Sequence, residues 1–170
     1  FYEDFLSVYD AEARRQAGVY YTPINVVAAM TAITEYLLVN RFQKRLGFAD
    51  ANVITLDPAT GTGTFPLAVI DRGVERAVKA RGKAGTQQAA ISLSKNLFAF
   101  ELLPGPYSVA HLRLSSRLKL LSDGKADVAQ VLLTDTLESP LDPPDYQGYF
   151  GDAEILAAEH ARAKRIKLDQ

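Results

Sequence analysis

The sequence predicts an α/β protein in which a parallel sheet is wound on both faces by helices. Three observations lead there. Short apolar runs at Val53 to Leu56, Leu97 to Phe100 and Val128 to Leu133 read as buried strands. Longer stretches with apolar residues at helical spacing separate these runs. Strands that alternate with helices need crossover connections, and a crossover leaves the joined strands parallel.

Taken in order, Phe1, Phe5, Val8 and Tyr9 recur at helical spacing, and Gly18 is placed to stop that first helix. A second helix is expected from Thr22-Pro23, with the threonine as N-cap and the proline in the first turn. It carries Val26, Val27, Met30, Ile33, Leu37 and Leu38 on one face, and the pattern ends by Gly47. After the first strand, a helix is expected over Phe65 to Arg81, a turn at Gly82 to Gly85 and a short helix from Thr86 to Ser94. The second strand leads into a helix from Tyr107 to Leu121 that ends near Gly124. After the third strand the chain reads as loop from Thr134 to Gly151 and closes with an alanine-rich helix from Asp152 to Ile166. No internal repeat is visible.

Composition narrows the class. A chain of 170 residues, 48% hydrophobic and 23% charged, can bury a single core. A net charge of −1 does not announce a nucleic-acid partner, so any such contact must come from a local patch or from sequence outside this chain. Without cysteine there are no disulfides and no thiolate metal sites. No apolar run approaches the roughly 18 residues of a membrane span and no signal-peptide pattern opens the chain, so the expectation is a cytoplasmic protein with no membrane partner. His111 reads as a packed helical residue and His160 has no partner at metal-ligand spacing, so no metal is expected.

The most informative stretch is Asp57-Pro58-Ala59-Thr60-Gly61-Thr62-Gly63-Thr64-Phe65, between the first strand and its helix. Strand, glycine turn and helix in that order make a nucleotide-binding cradle, because glycines let the backbone approach a ligand and the helix start offers unpaired N–H groups. A dinucleotide fingerprint needs a third small residue where Phe65-Pro66 stands, and a P-loop needs a Gly-Lys-Ser/Thr that is absent. The pattern D-P-x-x-G-x-G-x-F instead resembles the first motif of amino-methyltransferases that use S-adenosylmethionine. Ligands of open α/β sheets sit beyond the carboxyl ends of the strands, where Asp57, Glu101 and Asp135 follow the three strands in turn. Glu101 is the candidate for the ribose hydroxyls, and Asp135 for the adenine amino group with Leu137 packed on the ring.

The resemblance extends over the whole chain. Gly18-Val19-Tyr20-Tyr21-Thr22-Pro23 is similar to the motif that precedes the cradle in γ-type adenine-N6 DNA methyltransferases of restriction–modification systems, above all the type I, type ISP and type IIG enzymes. Phe98 to Leu114 resembles that family's second motif and Leu132 to Leu137 its third. The resemblance implies a Rossmann-like methyltransferase fold with an incomplete parallel sheet preceded by N-terminal helices. It divides the chain into residues 1–50, carrying the Tyr-Tyr-Thr-Pro motif, and residues 51–170, a partial cofactor domain. It assigns cofactor contacts to Tyr20, Tyr21, Thr22 and Pro23, which fold over the methionine part. In the cradle it assigns them to Asp57, Pro58, Ala59, Thr60, Gly61, Gly63 and Phe65. Beyond the second and third strands they fall to Glu101 with Leu102 and to Asp135 with Leu137.

One part of the family pattern is missing. Its catalytic tetrapeptide, (Asn/Asp/Ser)-Pro-Pro-(Tyr/Phe), accepts hydrogen bonds from the target amine and stacks an aromatic on the flipped base. Asp142-Pro143-Pro144-Asp145-Tyr146 comes near it, but its fourth residue is Asp, its aromatic is one place late and no apolar strand delivers it. No catalytic residue is therefore assigned, and the chain is expected to stop before the motif. In the family the first strand is internal, beside the catalytic strand, so an apolar edge is expected there and with it self-association. Arg162, Lys164, Arg165 and Lys167 read as a solvated helix face. The function implied is the cofactor-binding portion of a DNA adenine-N6 methyltransferase, with DNA, restriction–modification subunits or fused nuclease and helicase domains as partners. The alternatives are a non-catalytic binding or subunit-contact module and a fragment of an RNA or protein amino-methyltransferase.

Overall fold

The computed structural model describes residues 22–141 and 153–169. The expected first helix, Tyr20, Tyr21 and the Asp142 to Tyr146 segment lie outside the described residues. The described elements are helix α1 (Ile24–Asn40), a 3-10 turn (Gly47–Ala49), strand β1 (Thr55–Asp57), helices α2 (Thr64–Arg81) and α3 (Ala84–Asn96), strand β2 (Leu97–Glu101), helix α4 (Pro104–Leu121), strand β3 (Gln130–Leu133) and helix α5 (Ala153–Asp169).

Among the described residues the three strands form one parallel sheet in the order β1-β2-β3, with Leu56 opposite Phe98 and Phe100 opposite Leu132. This is the parallel arrangement expected from the alternation of strands and helices. Because successive strand residues face opposite sides, β2 and β3 feed two cores. Leu97, Ala99 and Val131 face the larger one, built with Ile70 and Val74 of α2, Leu93 of α3 and Leu114 and Leu118 of α4. Phe100 and Leu132 face the other, closed by Ala163 of α5 with Phe98 and Ile166 at its margin. Helices thus cover both faces. No helix of the described residues is long and apolar enough to cross a membrane.

Several boundaries differ from the sequence reading. Strand β1 starts at Thr55 rather than Val53, because Val53 N–H is tied back to Asp50 O in a turn and the ladder begins opposite Leu97, the first residue of β2. Strand β3 starts at Gln130 because Ala129 N–H is drawn to the Ser115 hydroxyl at 3.0 Å. Pro23, not Thr22, holds the N-cap position of α1, with ψ of 137° and no side-chain cap, and the helix ends at Asn40.

The expected apolar face of α1 is corrected more deeply. Its buried residues are Val27 and Thr31, whereas Val26, Met30, Ile33 and Leu37 are exposed. Thr31 can turn inward because its hydroxyl is satisfied by Val27 O at 2.8 Å. Glu35 of α1 reaches Arg72 of α2 at 3.0 Å and fixes the packing of the two helices.

The cationic end of α5 is also corrected. Arg162 donates to Gln130 Oε1 at 2.5 Å, and Lys164 lies 3.4 Å from Glu138. Lys167 Nζ donates to the Asp135 and Glu138 carbonyls at 2.6 and 3.0 Å and sits 5.8 Å from the Phe100 ring centre. Lys164 and Lys167 therefore grip the segment after β3, Arg162 reaches the start of β3 from an exposed position, and Arg165 faces solvent as expected. Glu159, one turn earlier, accepts the Tyr107 hydroxyl at 2.5 Å and Leu133 N–H at 3.1 Å. Burial first, and then this bond to a carboxylate, hold the Tyr107 hydroxyl well above its usual range.

Candidate functional site

The site lies where the three strands end. Main-chain bonds draw the following segments onto the end of β2: Thr60 N–H reaches Phe100 O at 2.9 Å and Thr134 N–H reaches Glu101 O at 2.8 Å. The Thr136 hydroxyl completes the circuit on Pro58 O. The segments after β1 and β3 thus meet across β2, and Asp57, Glu101 and Asp135 come to one crest.

The loop from Asp57 to α2 is built by its glycines. Gly61 has φ of 56° and Gly63 φ of 86°, values that side chains rarely tolerate. A Cβ on Gly63 would sit in ordinary contact with Ala110 of α4 at 3.4 Å, so it is the positive φ that calls for glycine there. A Cβ on Gly61 would meet nothing within 4 Å. That bare α-carbon leaves an open approach to the loop. Helix α2 begins at Thr64 with no side-chain cap, so its first N–H groups stay available.

Glu101 is the hub. Its Oε2 accepts Gly61 N–H at 2.8 Å and its Oε1 accepts Leu103 N–H at 2.8 Å. A carboxylate offers about four lone-pair positions, so both oxygens can still accept from ligand hydroxyls. Asp57 Oδ1 accepts Ala59 N–H at 3.2 Å, while its buried Oδ2 has no hydrogen-bond partner. Burial raises the Asp57 pKa; the Ala59 N–H and the neighbouring Thr60 hydroxyl oppose the shift, and Glu101 adds to it. Asp57 Oδ2 and the neighbouring Thr60 hydroxyl are both buried without a geometric hydrogen-bond partner, so the oxygen has acceptor capacity that this hydroxyl or an outside donor can meet.

Asp135 is exposed, and its Oδ1 accepts Leu137 N–H at 2.8 Å in a tight turn. Leu137 is 93% exposed and Leu102 is 44% exposed, both free to cover a ring. Thr22 and Pro23 are exposed just ahead of α1. Beside β1 opens a cavity of about 320 Å³. Asp57, Pro58 and Phe65 line it together with Met30, Thr31 and Thr34 of α1, whereas Glu101, Asp135 and Leu137 do not. The α1 residues were missed from sequence. The available signal was the pair Thr31 and Thr34 interrupting an otherwise apolar helix immediately after Thr22-Pro23.

Among the described residues no cluster of His, Asp or Glu could hold a metal ion, and His160 is paired with Glu138 at 3.0 Å. The open glycine, the buried Asp57 oxygen and the spare acceptor positions on Glu101 are compatible in chemistry with a nucleoside that carries a cationic tail.

Fold and crest together define an α/β domain of the methyltransferase type. The family comparison narrows this. Residues 1–149 match the N-6 DNA methylase family, and the chain belongs to it. Among solved structures, the chain resembles DrdV in its complex with DNA, with 30% identity, a TM-score of 0.67 and 98% of this chain aligned. It resembles the ATP-dependent type ISP restriction–modification enzyme LlaBIII bound to DNA with 27% identity and a TM-score of 0.67 over 86% of this chain. A nuclease-deletion mutant of the type ISP enzyme LlaGI, in complex with a DNA substrate mimic, shares the fold at 20% identity, a TM-score of 0.70 and 98% coverage of this chain. The chain spans 14%, 10% and 13% of those three chains respectively. No curated protein matches it.

Proposed function

We propose that this chain is the S-adenosylmethionine-binding portion of a DNA adenine-N6 methyltransferase of the restriction–modification kind. The observation that carries the reading is the coupling of the glycine loop to Glu101 beside an unpartnered Asp57 oxygen. Glu101 takes the ribose hydroxyls. Asp135 accepts from the adenine amino group, with Leu137 and Leu102 against the ring, and Asp57 accepts from the ammonium of the methionine end. Pro58, Ala59, Thr60, Gly61, Gly63 and Phe65 line the backbone cradle, and the Tyr20-Tyr21-Thr22-Pro23 motif takes the methionine part by resemblance to the family. When bound, the cofactor supplies an electrophilic methyl group for transfer to an exocyclic amine. The chain's own residues orient that donor and exclude water from it.

Transfer also needs an acceptor pair and an aromatic face for an extruded base. The chain lacks the tetrapeptide that would supply them, so the reading makes it the donor half, with DNA bound by a longer polypeptide. The family match and the DNA complexes of its relatives support DNA over RNA or protein as the substrate.

The test has two parts. Calorimetry with S-adenosylhomocysteine should show binding by the 170-residue chain. Tritiated methyl incorporation into adenine-containing duplex should be absent with this chain and present with one extended through an Asn-Pro-Pro-Tyr motif. Robust incorporation by the 170 residues alone would overturn the donor-half assignment.

A further inference from the structure

Thr62, at the centre of the glycine loop, is only 2% exposed. Its carbonyl and its hydroxyl accept from Nη1 of Arg113 at 2.7 and 3.2 Å. Arg113 stands on α4, where Ala110 lies one turn earlier on its side of the helix and Leu114 is the next residue. Those two residues are the ones that a Cβ on Gly63 would meet, at 3.4 and 3.5 Å. One stretch of α4 therefore holds Thr62 and Gly63 together.

The peptide between them is pinned at both ends. Its C=O is held by Arg113, and its N–H, that of Gly63, donates to Thr60 O at 2.9 Å. A peptide unit is planar, so fixing both groups forbids a flip of the plane. The plane's orientation decides which way the neighbouring N–H groups face and where Gly61 leaves its open approach. A guanidinium suits the task because it is always charged and carries several donors in a rigid fork, which serve the carbonyl and the hydroxyl together.

We propose that Arg113 is a positioning residue: it holds the Thr60 to Thr64 loop in the conformation that accepts the cofactor. The inference rests on the cofactor reading of this site. Arg113 touches the loop from behind, and its effect on the ligand passes through the Thr62 peptide.

The experiment combines amide hydrogen exchange with calorimetric titration of S-adenosylhomocysteine, on the 170-residue chain and its Arg113→Ala, Arg113→Lys and Arg117→Ala variants. Arg117, one turn further along α4, pairs with Asp71 of α2 and serves as the control. In Arg113→Ala the amides of residues 61–64 should exchange at least tenfold faster, with protection in β2 and α4 unchanged, and the Kd should rise at least tenfold. Arg113→Lys, which can donate to the same carbonyl, should recover part of both, and Arg117→Ala should change neither. Loop exchange and Kd that stay at wild-type values in Arg113→Ala overturn the positioning role alone. Protection lost evenly through β2 and α4 in both Arg113 variants overturns it as well, in favour of a purely structural arginine. A wild-type chain that does not bind the ligand overturns the cofactor reading and this inference with it.

Discussion

Glu101 accepts the Gly61 N–H at 2.8 Å, and the two residues are forty positions apart in the chain. The acid beyond β2 is thereby part of the glycine loop's own architecture before any ligand arrives. Under the proposed cofactor reading this joins two tasks in one carboxylate, which would support the loop and receive ligand hydroxyls with its spare acceptor positions.

Glu101→Ala should therefore weaken S-adenosylhomocysteine binding through both tasks. A hydrogen bond to a charged acceptor is worth about 1.5–3 kcal/mol, or roughly ten- to more than hundredfold in affinity. Glu101→Gln should fall between, because one amide oxygen cannot replace two carboxylate oxygens. Calorimetry on the three proteins decides the matter, and equal affinities would remove Glu101 from the site.

Asp57 sets stability against binding. Its pKa is raised chiefly by burial, so the folded state binds its proton more tightly than the unfolded state does. The stabilisation from that proton is complete below the ordinary carboxylate value and is lost as pH rises through the folded-state pKa. At pH 7 the buried charge is a liability, and Asp57→Asn should raise Tm by about 2–4 °C, the shift for ~1 kcal/mol in a domain of this size. The gain should vanish near pH 3.8, while cofactor affinity at pH 7 falls. Thermal melts across pH check the sign; an Asp57→Asn protein that melts lower than wild type at pH 7 would refute it.

The two loop glycines should separate on substitution. Gly63→Ala forces a side chain into a left-handed conformation against Ala110, at about 1–2 kcal/mol of stability. Gly61→Ala meets a similar backbone penalty, but its methyl group projects into open space. Its excess effect should therefore appear as lost affinity beyond what the fall in Tm accounts for. Comparing Tm and Kd for the pair tests this, and identical profiles would show that the open space beside Gly61 is not ligand space.

Lys167→Met keeps the aliphatic stem but removes the donors to the Asp135 and Glu138 carbonyls. Burial lowers the Lys167 pKa, against the opposing pull of Glu138 and Asp135. With each lost hydrogen bond worth about 0.5–1.5 kcal/mol, part of it spent on ordering the turn that carries Asp135, affinity should drop about three- to tenfold. Exchange at residues 134–138 should quicken in the same variant; unaltered exchange would show that the turn holds itself.

Sequence made the sheet and the crest legible because both depend on local signals. Leu97 to Phe100 is a short apolar run that fits a buried strand between helical stretches, and Gly61 and Gly63 announce a backbone that side chains rarely adopt. Helix α1 was less legible: apolar residues occupy nearly all of its circumference, so periodicity could not select the side that Val27 and Thr31 bury. The grip of α5 was not legible at all. Lys164 and Lys167 look like solvent cations until the segment after β3 is seen beneath them, and no local pattern encodes that proximity. Arg113 stayed hidden for the same reason, since its partner is a main-chain carbonyl.

The Glu159 bond to Leu133 N–H closes one position at the β3 border of the sheet. Thr134 N–H points inward to β2, so by alternation the Leu133 amide points away from it, where another strand would have to pair. A carboxylate already occupies that donor, and an acidic side chain there would repel an incoming carbonyl. Strand β1 forms the other border of the described sheet. A further strand on the β3 side would have to displace the Glu159 carboxylate from Leu133 N–H, so this bond guards the β3 border against edge pairing.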